Sequence, residues 1–213
     1  MRCEQTEALN DGRLVSPSAE RNKGPILTAL ERVLPGTGLV LEIASGTGQH
    51  VVYFARTLGH LTWQPTDPDP DCRRSISAWL AAENLPNVLR PLELDVGKLP
   101  WPVAAFDALV CINLIHIAPW TATTALFAGA EFALREAGPV YLYGPYRVQG
   151  RHTAPSNQVF DRALRAHNPE WGVRDLEAVV QLADEHGFDL VETAAMPANN
   201  LSVLFQRRRT TSV

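Results

Sequence analysis

The sequence predicts an α/β fold: a Rossmann-like, doubly wound and mostly parallel sheet of seven strands with a C-terminal antiparallel hairpin strand. Three observations carry that expectation. Apolar runs of strand length recur at residues 39–44, 61–66, 88–94, 106–112 and 139–143; segments with helical periodicity lie between them; and two glycines stand at the first strand-to-helix turn. Strands alternating with helices in this way are joined by right-handed crossovers.

Each element follows from its residues. Ser16-Pro17 offers a cap and a proline at the first helical position, Ile26, Leu30, Val33 and Leu34 repeat at helical spacing, and Pro35-Gly36 closes the helix. Residues 39–44 are almost continuously apolar, as suits a strand covered on both faces. Val51, Phe54, Ala55 and Leu58 then fall at i, i+3, i+4 and i+7, and Gly59 ends that helix. Residues 75–83 and 121–136 read as helices, and Val159, Phe160, Ala163 and Leu164 mark a short one inside a long polar connection from Arg147 to Gly172. Leu176, Val179, Val180 and Ala183 form the last helical stripe, capped by Gly187. Residues 188–195 and 201–205 flank Pro197-Ala198-Asn199-Asn200 as the two arms of a hairpin. One domain over 16–207 accounts for these elements, with a flexible N-terminal segment over 1–15 and a tail over 208–213.

Composition narrows the function classes. Hydrophobic residues at 46% and charged ones at 20% are those of a globular enzyme-sized domain, and a net charge of −4 gives no footprint for a nucleic-acid backbone. Arg207, Arg208 and Arg209 read as a solvated tail. Cys3, Cys72 and Cys111 are odd in number and far apart, which argues against a zinc site or a disulfide framework and for the reducing cytoplasm. No apolar run approaches the ~18 residues of a membrane span. The expected partner is a small molecule.

In an open α/β sheet, ligands bind beyond the carboxyl ends of the strands. There the sequence reads Glu42-Ile43-Ala44-Ser45-Gly46-Thr47-Gly48, with glycines where the backbone must bend and a ligand approach. Asp67 lies 19 residues beyond Gly48, placed to accept the hydroxyls of an adenosine ribose, and Asp95 follows the third strand with Val96 beside it as an apolar surface for an adenine. Taken singly, each acid also fits an ordinary helix cap or turn. Charge separates the ligands: Val51 stands where a dinucleotide fingerprint has its third glycine, and the carboxylate of Glu42 at roughly 6 Å would oppose a phosphate by about 2 to 3 kcal/mol at a dielectric near 20. The same carboxylate attracts a sulfonium and an ammonium, the two cations of S-adenosylmethionine.

The segment 42–48 resembles the first motif of class I S-adenosylmethionine-dependent methyltransferases, with Ala44 where many members have glycine, and Asp67 and Asp95 match the second and third acidic positions of that superfamily. Ser16 to Lys23, Ile43 to His50, Ile112-Asn113 with His116 to Trp120, Tyr143-Gly144-Pro145-Tyr146 and Met196 to Asn200 further resemble the methyltransferase-like protein 26 family of small, sparsely characterised proteins. The resemblance implies a class I fold and a cofactor held by Glu42, Ala44, Ser45, Gly46, Gly48, Asp67, Asp95, Val96, Asn113 and, from the first helix, Asn22. It leaves the methyl acceptor open.

Methyl transfer needs an in-line attack and control of the acceptor's proton, not a covalent enzyme intermediate. His116 is the expected base, Asn113 an orienting amide, and Tyr146 a further catalytic candidate; a histidine among isoleucines also fits a packed structural role. Trp120 offers an aromatic wall, and Arg151, Asn157, Asn199 and Asn200 are possible substrate contacts. No metal site is expected. Two other classes stay open at this point: a binding protein on the same fold without turnover, and a nicotinamide-dependent oxidoreductase, which the missing third glycine and Glu42 disfavour.

Overall fold

The structure, a computed structural model, describes residues 6–209. Met1 to Gln5, Cys3 among them, and the end of the tail from Thr210 lie outside the described residues. The chain opens with a short antiparallel ladder of β1 (Glu7–Ala8) on β2 (Leu14–Val15). Helix α1 (Pro17–Val33) follows, then β3 (Gly38–Ile43), α2 (Gln49–Thr57), β4 (Leu61–Pro65), α3 (Pro70–Glu83), β5 (Ala108–Ile112), α4 (Trp120–Ala133) and β6 (Pro139–Gly144). An insertion carries β7 (Tyr146–Val148), β8 (Arg151–His152), α5 (Pro155–His167) and β9 (Arg174–Asp175); α6 (Leu176–Glu185), β10 (Phe188–Met196) and β11 (Asn200–Arg207) complete the fold.

The main sheet has the order β10-β11-β6-β5-β3-β4. Strands β3, β4, β5 and β6 are parallel, and β11 alone opposes them, inserted between β6 and β10. After β3 the chain steps outward to β4 and then crosses back to place β5 on the other side of β3. That reversal opens a crevice between the tips of β3 and β5.

Among the described residues six strands, not seven, make this sheet. The segment 88–94 lies along β4 but contributes only the bridges Trp63 to Val88 and Thr66 to Leu92. Pro91 supplies no N–H to a ladder, which is why the apolar pattern there does not become a regular strand. The helical stripe expected at Val159 and Phe160 is also corrected: both are exposed on α5, while Asn157, Asp161 and Leu164 form its buried face. Asn157 is held by Asn199 O at 2.8 Å and Asp161 by the backbone N–H of Val173 at 2.7 Å. Buried polar groups that bond backbone carry this helix, and an apolar count cannot see them.

Two apolar layers enclose the sheet. Leu41, Ile43, Leu109, Cys111, Leu142 and Phe205 face α4 and α6, whereas Val40, Val110, Ile112, Tyr141 and Tyr143 face α1 and α2. The part of the N-terminal segment that is described docks on α3: Leu14 N–H donates to Ser75 Oγ, Trp79 Nε1 donates to Leu14 O, and Arg13 lies over the Trp79 ring at 4.6 Å. At the other end Arg208 pairs with Asp184 and Asp189.

Helix α2 starts from Gly48, whose φ of +89° is left-handed and whose Hα faces Ile76; a β-carbon there would lie 3.0 Å from the Ile76 backbone. Gly48→Ala combines backbone strain with a clash that backbone cannot relieve, so the urea midpoint is expected to fall by the equivalent of about 1 to 3 kcal/mol at unchanged m-value.

Candidate cofactor and acceptor site

The turn from β3 to α2 is stitched to the neighbouring strand. Ser45 N–H donates to Thr66 O at 2.7 Å, Thr66 N–H and Oγ1–H both donate to Glu42 O, and Gly46 N–H donates to Asp67 Oδ2 at 3.0 Å. Asp67 also accepts the Asp69 N–H at 2.9 Å through its other oxygen, so its carboxyl ties the glycine turn to the start of α3. It is buried, and burial lifts its pKa above the ordinary value despite those two bonds. Ala44 and Gly46 both have positive φ, +56° and +58°, a cost of about 1 kcal/mol for the alanine, and a β-carbon on Gly46 would meet open space.

Glu42 lies beneath this turn and is 2% exposed. Its Oε2 has no hydrogen-bond partner, and desolvation, aided by the nearby Asp67 carboxyl, pushes its pKa up to about 8 against a bond with Ser45 that pulls the other way. An anionic carboxylate here would be buried with one oxygen unbonded, so the carboxyl keeps its proton at pH 7.

Asp67 N–H bonds Leu92 O at 3.1 Å, which brings the 88–94 segment and hence Asp95 alongside. Asp95 is half-buried, accepts the Gly97 N–H and pairs with Lys98 at 3.5 Å; Val96 is buried against the α4 layer. Across the crevice, Asn113 takes a left-handed φ of +61°, a conformation asparagine tolerates, and its N–H donates to Tyr143 O. His116 is 3% exposed, its Nδ1 has no partner, and its ring presses on Gly144 so closely that a β-carbon would sit 2.9 Å from Cε1. Burial and the neighbouring Arg174 cation drive its pKa down to about 3, so it is neutral at pH 7. Phe160 contacts it edge-on at 5.7 Å. Arg174 binds the Ile115, Ala118 and Glu170 carbonyl oxygens and lies 5.8 Å over Trp120.

Helix α1 is tied over the turn. Gln49 Nε2 donates to Glu20 Oε1 at 2.6 Å, and the buried Asn22 shares a 2.7 Å bond with His50 Nε2. His50 is likewise kept neutral, its pKa lowered to about 4 by burial and by Lys23. Arg21 is exposed, and Lys23 pairs with Glu20 and faces Tyr53.

Tyr146, a catalytic candidate from sequence, is 1% exposed and belongs to the layer of Cys111, Leu142, Val179 and Leu182; its hydroxyl is buried without a partner, and its pKa is strongly raised by burial. Tyr143 is the tyrosine at the strand tips: Asn200 Nδ2 donates to its hydroxyl at 3.0 Å, and Asn22 bonds it from α1. Sequence reasoning passed over it because an aromatic residue inside an apolar strand carries no sign of a polar task. Arg151 is exposed, and Asn199 Nδ2 donates to Ser156 Oγ at 3.1 Å. Among the described residues no cluster of histidine, cysteine and acidic side chains could hold a metal ion, and no helix is long and apolar enough to cross a membrane.

Several solved structures with this architecture are described as methyltransferases. The S-adenosylmethionine-dependent methyltransferase SibL in its apo form superposes with a TM-score of 0.74 at 20% identity, covering 90% of this chain and 56% of that one. Human N-acetylserotonin methyltransferase in complex with S-adenosylmethionine gives 0.75 at 15%, covering 90% and 53%, and a putative O-methyltransferase from Nostoc punctiforme gives 0.78 at 13%, covering 90% and 57%. The chain thus spans little more than half the length of these three proteins, and what it shares with them is the class I methyltransferase fold. Residues 13–207 match the family described as protein of unknown function DUF938, and the chain belongs to that family.

The buried acid makes a measurable prediction. Folded protein keeps the Glu42 proton that the unfolded chain releases above about pH 4.5, so this group stabilises least as pH rises toward 8. Glu42→Gln removes that loss: the variant should gain on the parent progressively between pH 5 and 8, by on the order of 4 kcal/mol at the upper end. Urea titrations of both proteins across that range check it. His50 and His116 act oppositely in both proteins, their contribution being lost as pH falls below 6.5 toward 4.

Proposed function

We propose that this protein is a methyltransferase that takes its methyl group from S-adenosylmethionine and gives it to a small molecule, and that within its family it belongs with methyltransferase-like protein 26, as the motif blocks from Ser16 to Asn200 support. The single observation that carries the reaction is the buried Glu42 carboxyl with an orphaned oxygen under an open, left-handed turn. Only a cation makes ionisation favourable there. A phosphate would meet a carboxyl and no compensating charge.

When bound, S-adenosylmethionine supplies a methyl group on a positively charged sulfur. Glu42 ionises toward its ammonium, Ser45 and Gly46 leave room for its chain, and Asp67 and Asp95 present carboxyl oxygens to the ribose and adenine, with Val96 as the apolar floor. Gly48 holds the turn, and Ala44 keeps the left-handed backbone that glycine supplies in relatives. Asn22 closes the pocket from α1, and Asn113 orients the cofactor's amino-acid end or the acceptor. His116 is a poor base at neutral pH with its pKa so far down. It serves as a rigid, neutral wall that sets the position of Gly144. In a reading without turnover the same pocket would bind the cofactor alone.

Saturation with S-adenosylmethionine at about 100 times its dissociation constant should add about 2.7 kcal/mol, which is roughly 5 to 11 °C of melting temperature for a domain this size. NADH should add nothing, and the reverse pattern would refute the assignment. Asp67→Ala should abolish the shift while the far-ultraviolet circular dichroism stays unchanged. Because binding expels the Glu42 proton, affinity should rise with pH up to about 8 in the parent and lose that dependence in Glu42→Gln, as calorimetry in buffers of different ionisation enthalpy would show.

A further inference from the structure

Three segments distant in sequence converge on one phenol. Tyr143 stands at the tip of β6, opposite Ile112 on β5, and its carbonyl accepts from Asn113. The next residue is the Gly144 against which His116 packs. The Tyr143 hydroxyl accepts a hydrogen bond from the Asn200 amide nitrogen at the β10–β11 turn, and Asn22 of α1 bonds it as well, while burial raises its pKa. Asn22 is in turn fixed through Oδ1 by His50. An amide nitrogen donates and does not accept, so the Asn200 bond does not use the phenolic hydrogen. The tyrosine is thus held by the oxygen with its proton left to give.

The rest of that rim is of one character. His116 is neutral, and Arg174 spends its guanidinium on backbone carbonyl oxygens at the exit of the 113–119 loop. The insertion from Arg147 to Asp175 packs on this loop through the bond from Gly172 N–H to His116 O; of its five arginines, Arg147 pairs with Asp175, Arg165 with Asp161 and Arg174 with backbone carbonyls, and Arg151 and Arg162 are exposed cations. Groups that donate protons or carry positive charge hold an acceptor that is already an anion; an alcohol or protonated amine would instead require a base.

Resting on the methyltransferase reading, we propose that the acceptor is a small carboxylate and that Tyr143 is a binding residue for it, donating its hydroxyl hydrogen to the carboxylate. One carboxylate oxygen bonds the methyl carbon as that carbon's bond to sulfur breaks; the electron pair stays on sulfur, the product is a methyl ester, and no proton changes hands.

Two measurements test this on the full chain. Labelled cofactor with a metabolite extract should give a product whose label mild alkali releases as volatile methanol. Label that survives alkali, as in an ether or a methylamine, overturns the carboxylate and leaves the methyltransferase reading standing, whereas no incorporation at all defeats that reading and this inference with it. Independently of turnover, benzoate should shift the tyrosine 13Cζ resonance that disappears in Tyr143→Phe, and the neutral benzamide should leave it in place. An equal response to both, or none to benzoate, removes Tyr143 from the acceptor site. Tyr143→Phe should raise KM for the acceptor at least tenfold while the cofactor's thermal shift is retained; loss of kcat at unchanged KM would also count against it.

Discussion

A buried carboxyl group with one oxygen unbonded lies under the tip of a central strand, and the bonds of the turn around it hold it there. Ionised, Glu42 would forfeit its hydration for little more than the Ser45 bond; protonated, it is tolerated. Its main-chain oxygen is bonded by Thr66, the turn above it is fixed by Ser45 and by Asp67, and α1 is bound down over the turn by Gln49 and His50. These bonds hold the turn in place over the carboxyl. Rigid enclosure of an unmet charge requirement is a means of preorganisation, because a cationic ligand meets a site whose reorganisation has been completed during folding.

The crevice has two banks of different chemistry. On the β3–β4 side stand carboxyl groups, Glu42 and Asp67, with Asp95 brought alongside by the 88–94 segment. On the β5–β6 side stand neutral donors and, behind them, the arginine-bearing insertion. Opposite polarity on the two banks suits the proposed pairing of a cationic donor with an anionic acceptor. Selectivity then follows from charge before any shape is compared.

Much of this was legible in the residues. The strands β3 and β5 announce themselves because both of their faces are covered, and α1 because Ser16-Pro17 opens it. The acidic first bank was also readable, since glycines and acids at successive strand ends leave a linear trace. Two features left none. The ladder along 88–94 fails at Pro91 although its composition is that of a strand, and α5 turns Asn157 and Asp161 inward to satisfy backbone groups while Val159 and Phe160 face outward. The second bank was the hardest to read. Tyr143 and Tyr146 are three residues apart, but Tyr143 belongs to the sheet face under α1 and α2, whereas Tyr146, beyond Pro145, packs in the layer under α4 and α6. Which of two nearby tyrosines brings its hydroxyl to Asn22 and Asn200 depends on the side of the sheet it takes, a tertiary fact.

The position of β11 has a bearing on how the molecule comes to exist. Although it follows every other strand in the chain, it is an interior strand, bonded to β6 on one side and to β10 on the other. During synthesis β6 therefore waits with an open hydrogen-bonding edge, and β10, made earlier than its neighbour, has nothing in the sheet to join. In the finished sheet β10 is joined through β11 alone, so the last strand made is the one that closes both open edges, and the turn that carries Asn200 to Tyr143 belongs to that same hairpin.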